Sequence, residues 1–282
     1  MGIHDLPWEE IAEYLAKSAA RRPEIREVLG AHQEILRLQY LMPATPDLPR
    51  ALAADLRGHN ATGKPVLPRS EFALDLPAAT RLFHGIGEAL KGRGFDVLRS
   101  VEAIEGALHS GHLDLASLLR GALADPKAPS GQAAAAEAEP ELLARWCAEA
   151  VRPSAEACRR AVEQWVESAG WSRRVCPVCG SLPRIAELRG AELAAPRFLH
   201  CGFCGFAWRS RRQECGFCGT ADHRELLLLI PEEDRRCHVE VCNACRRYLK
   251  VVDNKEFFGL IPFLEDLATP HLDVLARDRG YW

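Results

Sequence analysis

The chain of 282 residues has no apolar run long enough to cross a bilayer. Its longest aliphatic stretch, Leu226 to Ile230, falls far below the ~20 residues a spanning helix needs. The first twenty residues carry Asp5, Glu9, Glu10 and Glu13 and lack the basic start and apolar stretch of a secretory signal, so export is not expected. A charge extreme is missing too: the formal net charge is -3, which argues against a strongly acidic or basic partner. No nucleophile motif, phosphate-cradling glycine loop or histidine-glutamate zinc motif occurs, which removes the usual sequence signatures of an enzyme. With 48% hydrophobic and 27% charged residues, the composition is that of a folded globular protein rather than a disordered one.

What the chain does have is cysteine. Eleven thiols in a chain without an export signal point to a reducing compartment, expected to be the cytoplasm, where paired cysteines more often bind metal than form disulfides. Four Cys-x-x-Cys pairs fall within 70 residues: Cys176 and Cys179, Cys201 and Cys204, Cys215 and Cys218, Cys242 and Cys245. Two thiolates two residues apart grip one metal in a tight turn, and two such turns complete a tetrahedron. Four knuckles therefore predict two metal ions, either iron or zinc, since both accept four thiolates. Such closed sites leave no open position for substrate, so metal-assisted hydrolysis is disfavoured.

In three knuckles the residue after the second cysteine is Gly180, Gly205 or Gly219; in the fourth it is Arg246. Intervals of 21 residues between Cys179 and Cys201 and 23 between Cys218 and Cys242 can each hold a hairpin, whereas only 10 separate Cys204 from Cys215. This favours pairing the first knuckle with the second and the third with the fourth, with an interleaved arrangement left open. The repeated CGFCG at Cys201 and Cys215 suggests a duplicated unit. Cys147, Cys158 and Cys237 lack a partner at knuckle spacing and read as structural. His200 and His223 lie near the knuckles but are not needed as ligands, and Phe203, Phe206, Trp208 and Phe217 read as local core.

Around this region the pattern is helical. Two helices are expected between Pro7 and Leu41, the second opened by Pro23, then a proline-broken loop with short helical pieces from Pro43 to Pro68. Helical spacing returns over Ala78 to Leu90, Val97 to Leu108 and Leu113 to Leu123. Asp125 to Pro140 has the composition of an exposed connector, followed by helices over Glu141 to Val151 and Ser154 to Ser168. Strand-like runs are Leu182 to Leu188, Arg197 to His200, Glu225 to Ile230 and His238 to Val241. The expected architecture is a mainly α N-terminal domain over 1–170, a small β/loop region of two rubredoxin-like, zinc-ribbon-like knuckle pairs over 171–253, and a C-terminal helical tail over 254–282 that packs back.

The order CPVCGSLPRIAEL, LHCGFCGFAWRSRRQECGFCG, VCNACRRYLKVVD and a closing LATPHLDVLARDRGYW resembles the FdhE family of formate dehydrogenase accessory proteins over the final ~110 residues. The resemblance implies a cytoplasmic factor for maturation of respiratory formate dehydrogenase that binds the immature catalytic subunit before export. It also tilts the metal towards rubredoxin-type iron. Arg246, where rubredoxin has glycine, puts rubredoxin-like electron transfer at that knuckle in doubt. Two readings compete: a rubredoxin-like iron electron carrier, and a zinc-ribbon protein that binds nucleic acid. The second is weakened because eight thiolates with two divalent ions cancel most of the modest arginine excess of this region, leaving no phosphate track.

Overall fold

A computed structural model describes residues 2–48, 60–136, 138–167, 170–190, 195–231, 235–257 and 259–282. The chain opens with helices α1 (Trp8–Arg21) and α2 (Arg26–Leu41), joined by a 3-10 turn over Pro23–Ile25. Pro23 thus opens that turn rather than α2 itself. Ile11 and Leu15 of α1 face Leu29 and Leu36 of α2, the single buried stripe expected of an amphipathic pair.

Of three further helices, α3 (Leu76–Lys91) and α5 (Leu115–Ala124) pack against α6 (Pro140–Val162), and α4 (Phe95–His109) packs on α3. Asp75 and Asp114 cap α3 and α5 by accepting from the amides of Ala78 and Ser117. Trp146 of α6 stacks on Phe83 of α3 at 4.2 Å and donates its indole hydrogen to the Phe83 carbonyl. A Cβ at Gly87 would stand 2.5 Å from the Trp146 ring, so only glycine permits this approach.

Two expectations change here. The helices expected on either side of Pro153 are one helix, α6, with the proline inside it. Proline removes the hydrogen bond to the carbonyl four residues back. That carbonyl belongs to Glu149, and it accepts instead from the side-chain amide of the buried Gln39 on α2 at 2.9 Å. The helix ends at Val162, and Ser168, the expected end of the second helix, lies outside the described residues. The connector expected to be exposed forms a 3-10 stretch over Pro129–Ala136, with Ala133 and Ala136 buried in the core. Small side chains allow this close packing, which composition alone reads as solvent exposure.

The proline-rich stretch before α3 is described only outside 49–59, so Pro49 is among the residues not described. Its later part is an ordered strap. Val66 and Leu67 are fully buried, and the amides of Val66, Leu67 and Arg69 donate to the carbonyls of Pro177, Val178 and Cys179.

Six strands follow: β1 (Pro183–Arg189), β2 (Arg197–Cys201), β3 (Ala207–Ser210), β4 (Leu226–Leu229), β5 (Cys237–Cys242) and β6 (Tyr248–Asn254). They form one sheet in the order β3-β2-β1-β6-β5-β4. Sequence periodicity missed β3 and β6. Both are too short or too continuously buried to alternate: β6 has five consecutive buried residues. All neighbours are antiparallel except the central pair, β1 and β6. Each half of the sheet is a meander with the same strand directions, so the two halves are related by translation along the sheet.

Helices α7 (Pro262–Ala268) and α8 (Pro270–Arg277) close the molecule. Leu264 and Ala268 of α7 enter the α1–α2 core, while Leu272 and Ala276 of α8 cover Val239 and Val241 of β5. Charged pairs fix this tail: Lys250, 4% exposed, reaches Asp266 and Asp273, and Arg184 reaches Asp266.

Candidate metal centres

The eight knuckle cysteines gather into two groups, Cys176, Cys179, Cys201 and Cys204 in the first and Cys215, Cys218, Cys242 and Cys245 in the second. Within each group the sulfurs lie within 4.8 Å of one another. Pairing is therefore sequential, not interleaved. A tetrahedron with metal–sulfur bonds of ~2.3 Å has edges of ~3.8 Å. Closest sulfur pairs are 3.4 Å and 3.7 Å apart in the first group and 3.7 Å in the second, so each donor set is compatible with one ion.

One backbone pattern builds the knuckles. The amide of Gly180, Gly219 or Arg246 donates back to the carbonyl of the first cysteine of its own knuckle. Cys201 Sγ accepts from the amides of Phe203 and Cys204, and Cys215 Sγ from that of Phe217, each at 3.4 Å. Such amides disperse thiolate charge. Arg246 keeps this geometry despite lacking glycine's freedom: its φ is 60°, against 75° to 81° for the three glycines. Its guanidinium donates to the carbonyls of Arg279 and Gly280 and lies 4.4 Å over the Tyr281 ring. Trp282 donates its amide to the Arg246 carbonyl, and Arg247 sits over both Trp282 and Phe217. The departure at Arg246 is thus a tail anchor on an unaltered knuckle.

The surroundings of the two groups differ. All four thiols of the first are buried, beneath the Val66–Arg69 strap and Phe203. Arg69 stacks 3.7 Å over Phe203 and donates to the Ala122 and Leu123 carbonyls at the end of α5. This places a cation beside the first group, where thiolate charge needs one. In the second group Cys218 is exposed and Cys245 half-buried.

Without metal, burial drives the thiols of Cys176 and Cys204 well above their ordinary range. Burial acts likewise on Cys201, but hydrogen bonds from its neighbouring cysteines and the Cys204 amide outweigh it and hold that thiol well below. In the second group burial pushes Cys242 up to about 12 and raises Cys245. For the exposed Cys218, hydrogen bonds led by the Thr220 backbone outweigh slight burial and lower it.

Other sequence candidates fall outside both groups. Burial lifts Cys147 to about 12 and Cys158 to about 11, as inert core thiols require. Cys237 is buried and donates to Glu265. His200 is bonded to Glu187 at 2.9 Å and pushed down by burial, while His223 is exposed. Phe203 and Trp208 are buried, and Phe206 and Phe217 pack against the same core. Sequence reasoning missed Arg69 and the terminal Tyr281–Trp282 clamp, because neither is near a knuckle in the chain and no spacing rule links them.

The fold and its site define a class: a helical N-terminal part joined to a tandem four-cysteine knuckle sheet with short closing helices. Residues 175–212 match the family model of the FdhE central domain, and residues 214–282 that of the FdhE C-terminal domain. A curated relative, a Protein FdhE homolog of Aquifex aeolicus, is 32% identical over 116 residues, 41% of each chain. Another from Haemophilus influenzae is 33% identical over 106 residues, 38% of this chain and 35% of the relative. The match thus spans about two-fifths of these relatives' length. The crystal structure of the FdhE protein from Pseudomonas aeruginosa shares the fold, with a TM-score of 0.69 at 22% identity over 98% of this chain and 92% of that one.

Proposed function

We propose that this chain is a non-enzymatic accessory factor for respiratory formate dehydrogenase, acting in the cytoplasm on the immature catalytic subunit before export. The observation that carries this reading is the pair of four-cysteine groups on a translationally repeated sheet, within the residues that match the FdhE central and C-terminal domains. In this reading Cys176, Cys179, Cys201 and Cys204 hold one ion, and Cys215, Cys218, Cys242 and Cys245 a second, either iron or zinc. A bound ion supplies folding energy by crosslinking the two knuckles that hold it. The decisive experiment is an affinity pull-down of the tagged chain from its host during formate respiration, with metal analysis of the eluate. The catalytic subunit of formate dehydrogenase should be recovered with two equivalents of metal. Its consistent absence, with formate dehydrogenase activity intact in a deletion strain, would overturn the reading.

The exposure of Cys218 supports a second reading, a rubredoxin-like electron carrier working at the second site. It requires iron there and a reversible one-electron couple; metal analysis finding only zinc excludes it.

A further inference from the structure

The sheet ends at β4, and that edge is unusual. Leu227, Leu228 and Ile230 are 45%, 58% and 52% exposed, although aliphatic residues on an open edge invite another strand. The opposite edge, β3, is blunted by the exposed Arg209 and keeps Trp208 buried. Beside β4 runs a groove of about 710 Å³ lined by Leu226, Leu228, Phe217, His238 and Glu240.

The repeat supplies a template for what fits there. Pro183 pairs with Cys201 as Leu226 pairs with Cys242, so β4 is the counterpart of β1. In the first unit the outer edge of β1 is filled by β6, running parallel, with Lys250, Val251, Val252 and Asp253 opposite Ile185, Ala186, Glu187 and Leu188. The equivalent positions on β4 are Leu227, Leu228, Leu229 and Ile230. Their outer side has no partner strand among the described residues. The Asn243 amide bonds the Glu225 carbonyl, so Glu225 points inward and Leu226, Leu228 and Ile230, at alternate positions, direct their backbone groups outward.

We propose that the β4 edge docks an extended apolar segment of a partner polypeptide, added as a seventh strand parallel to β4, with apolar residues opposite Leu228 and Leu229. Main-chain hydrogen bonds supply affinity and the groove selects side chains. A second copy is the poorer occupant: twofold pairing of two β4 edges in one continuous sheet runs antiparallel, and head-to-tail pairing would need the blunted β3 edge. The inference rests on the accessory role above as the source of an incompletely folded partner, but its test uses no formate dehydrogenase.

The probe is a synthetic peptide copying residues 248–254, Tyr-Leu-Lys-Val-Val-Asp-Asn, titrated to about 1 mM into the isotope-labelled, metal-loaded full chain. Amides of Leu226, Leu228 and Ile230 should shift and gain exchange protection. Leu228→Lys should weaken binding by about tenfold or more with unchanged metal content and melting. No response at these amides, equal binding by the variant, or self-association abolished by Leu228→Lys would each overturn the proposal, the last by assigning the edge to a second copy. Peptide binding without recovery of formate dehydrogenase in the pull-down would instead leave the edge standing and remove only the named partner.

Discussion

The two four-cysteine groups share a backbone pattern but not an environment. The first is roofed by a strap from the helical part, flanked by Arg69, and continuous with a core that runs from Val66 through Trp146 to Val251. The second is held from outside by the chain terminus, with Arg246 and Arg247 clasping Tyr281 and Trp282, and leaves Cys218 open. The two units thus share the knuckle and differ in what covers it. The buried group is built as a structural joint and the open one as a site that solutes can reach.

The sharpest way to break this contrast is to remove one thiol from each. Cys204→Ser should cost stability comparable to the whole ~5–15 kcal/mol of a typical domain, giving insoluble or molten protein, because strap, helices and sheet meet there. Cys218→Ser should stay folded with a melting point lower by a few degrees and one metal fewer. Equal damage from both would end the distinction. Chelator should next empty the second site at least about tenfold faster than the first, read as two phases of metal release.

Protons offer a subtler comparison. Two thiols in each metal-free group are raised, Cys176 and Cys204 in one and Cys242 and Cys245 in the other, so at pH 7 they carry protons that metal must displace. Each site should release at least two protons on loading, and apparent affinity should rise with pH by roughly a hundredfold per unit, falling as acid is added. Calorimetry in buffers of different ionisation enthalpy counts them.

Two arginines test the cladding. Arg69→Ala should destabilise by about 2–3 kcal/mol, since it leaves the carbonyls ending α5 without their donor and uncovers Phe203. Arg247→Ala, which loses ring contacts at the surface, should cost about 0.5–1 kcal/mol in urea unfolding. The smallest change is expected from Arg246→Gly. Relief of a left-handed residue, about 1 kcal/mol, offsets lost tail contacts, so stability should barely move while limited proteolysis at residues 279–282 accelerates.

The knuckles were legible because a tight chelating turn is local: its cysteines and glycines sit within five residues and announce themselves. So were the helical stripes, for the same reason. What was not legible depends on distant partners. Gln39 rescues the helix interrupted by Pro153, the strap at Val66 reaches a knuckle over a hundred residues later, and β6 joins β1 rather than forming a separate unit. No periodicity encodes these meetings. The contacts of Arg246 belong with these: its guanidinium bonds the carbonyls of Arg279 and Gly280, more than thirty residues on.

The closing of α1 and α2 by α7 bears on how the molecule comes to be made. Tyr14 and Glu265, bonded at 2.6 Å across this seam, are 251 residues apart. At roughly 5–20 residues per second on the ribosome, the opening hairpin waits on the order of ten to fifty seconds with its greasy side uncovered. Contacts of such long range also slow the final search. Newly made chain therefore carries this apolar stripe unpaired until the helix bearing Leu264 and Glu265 has emerged.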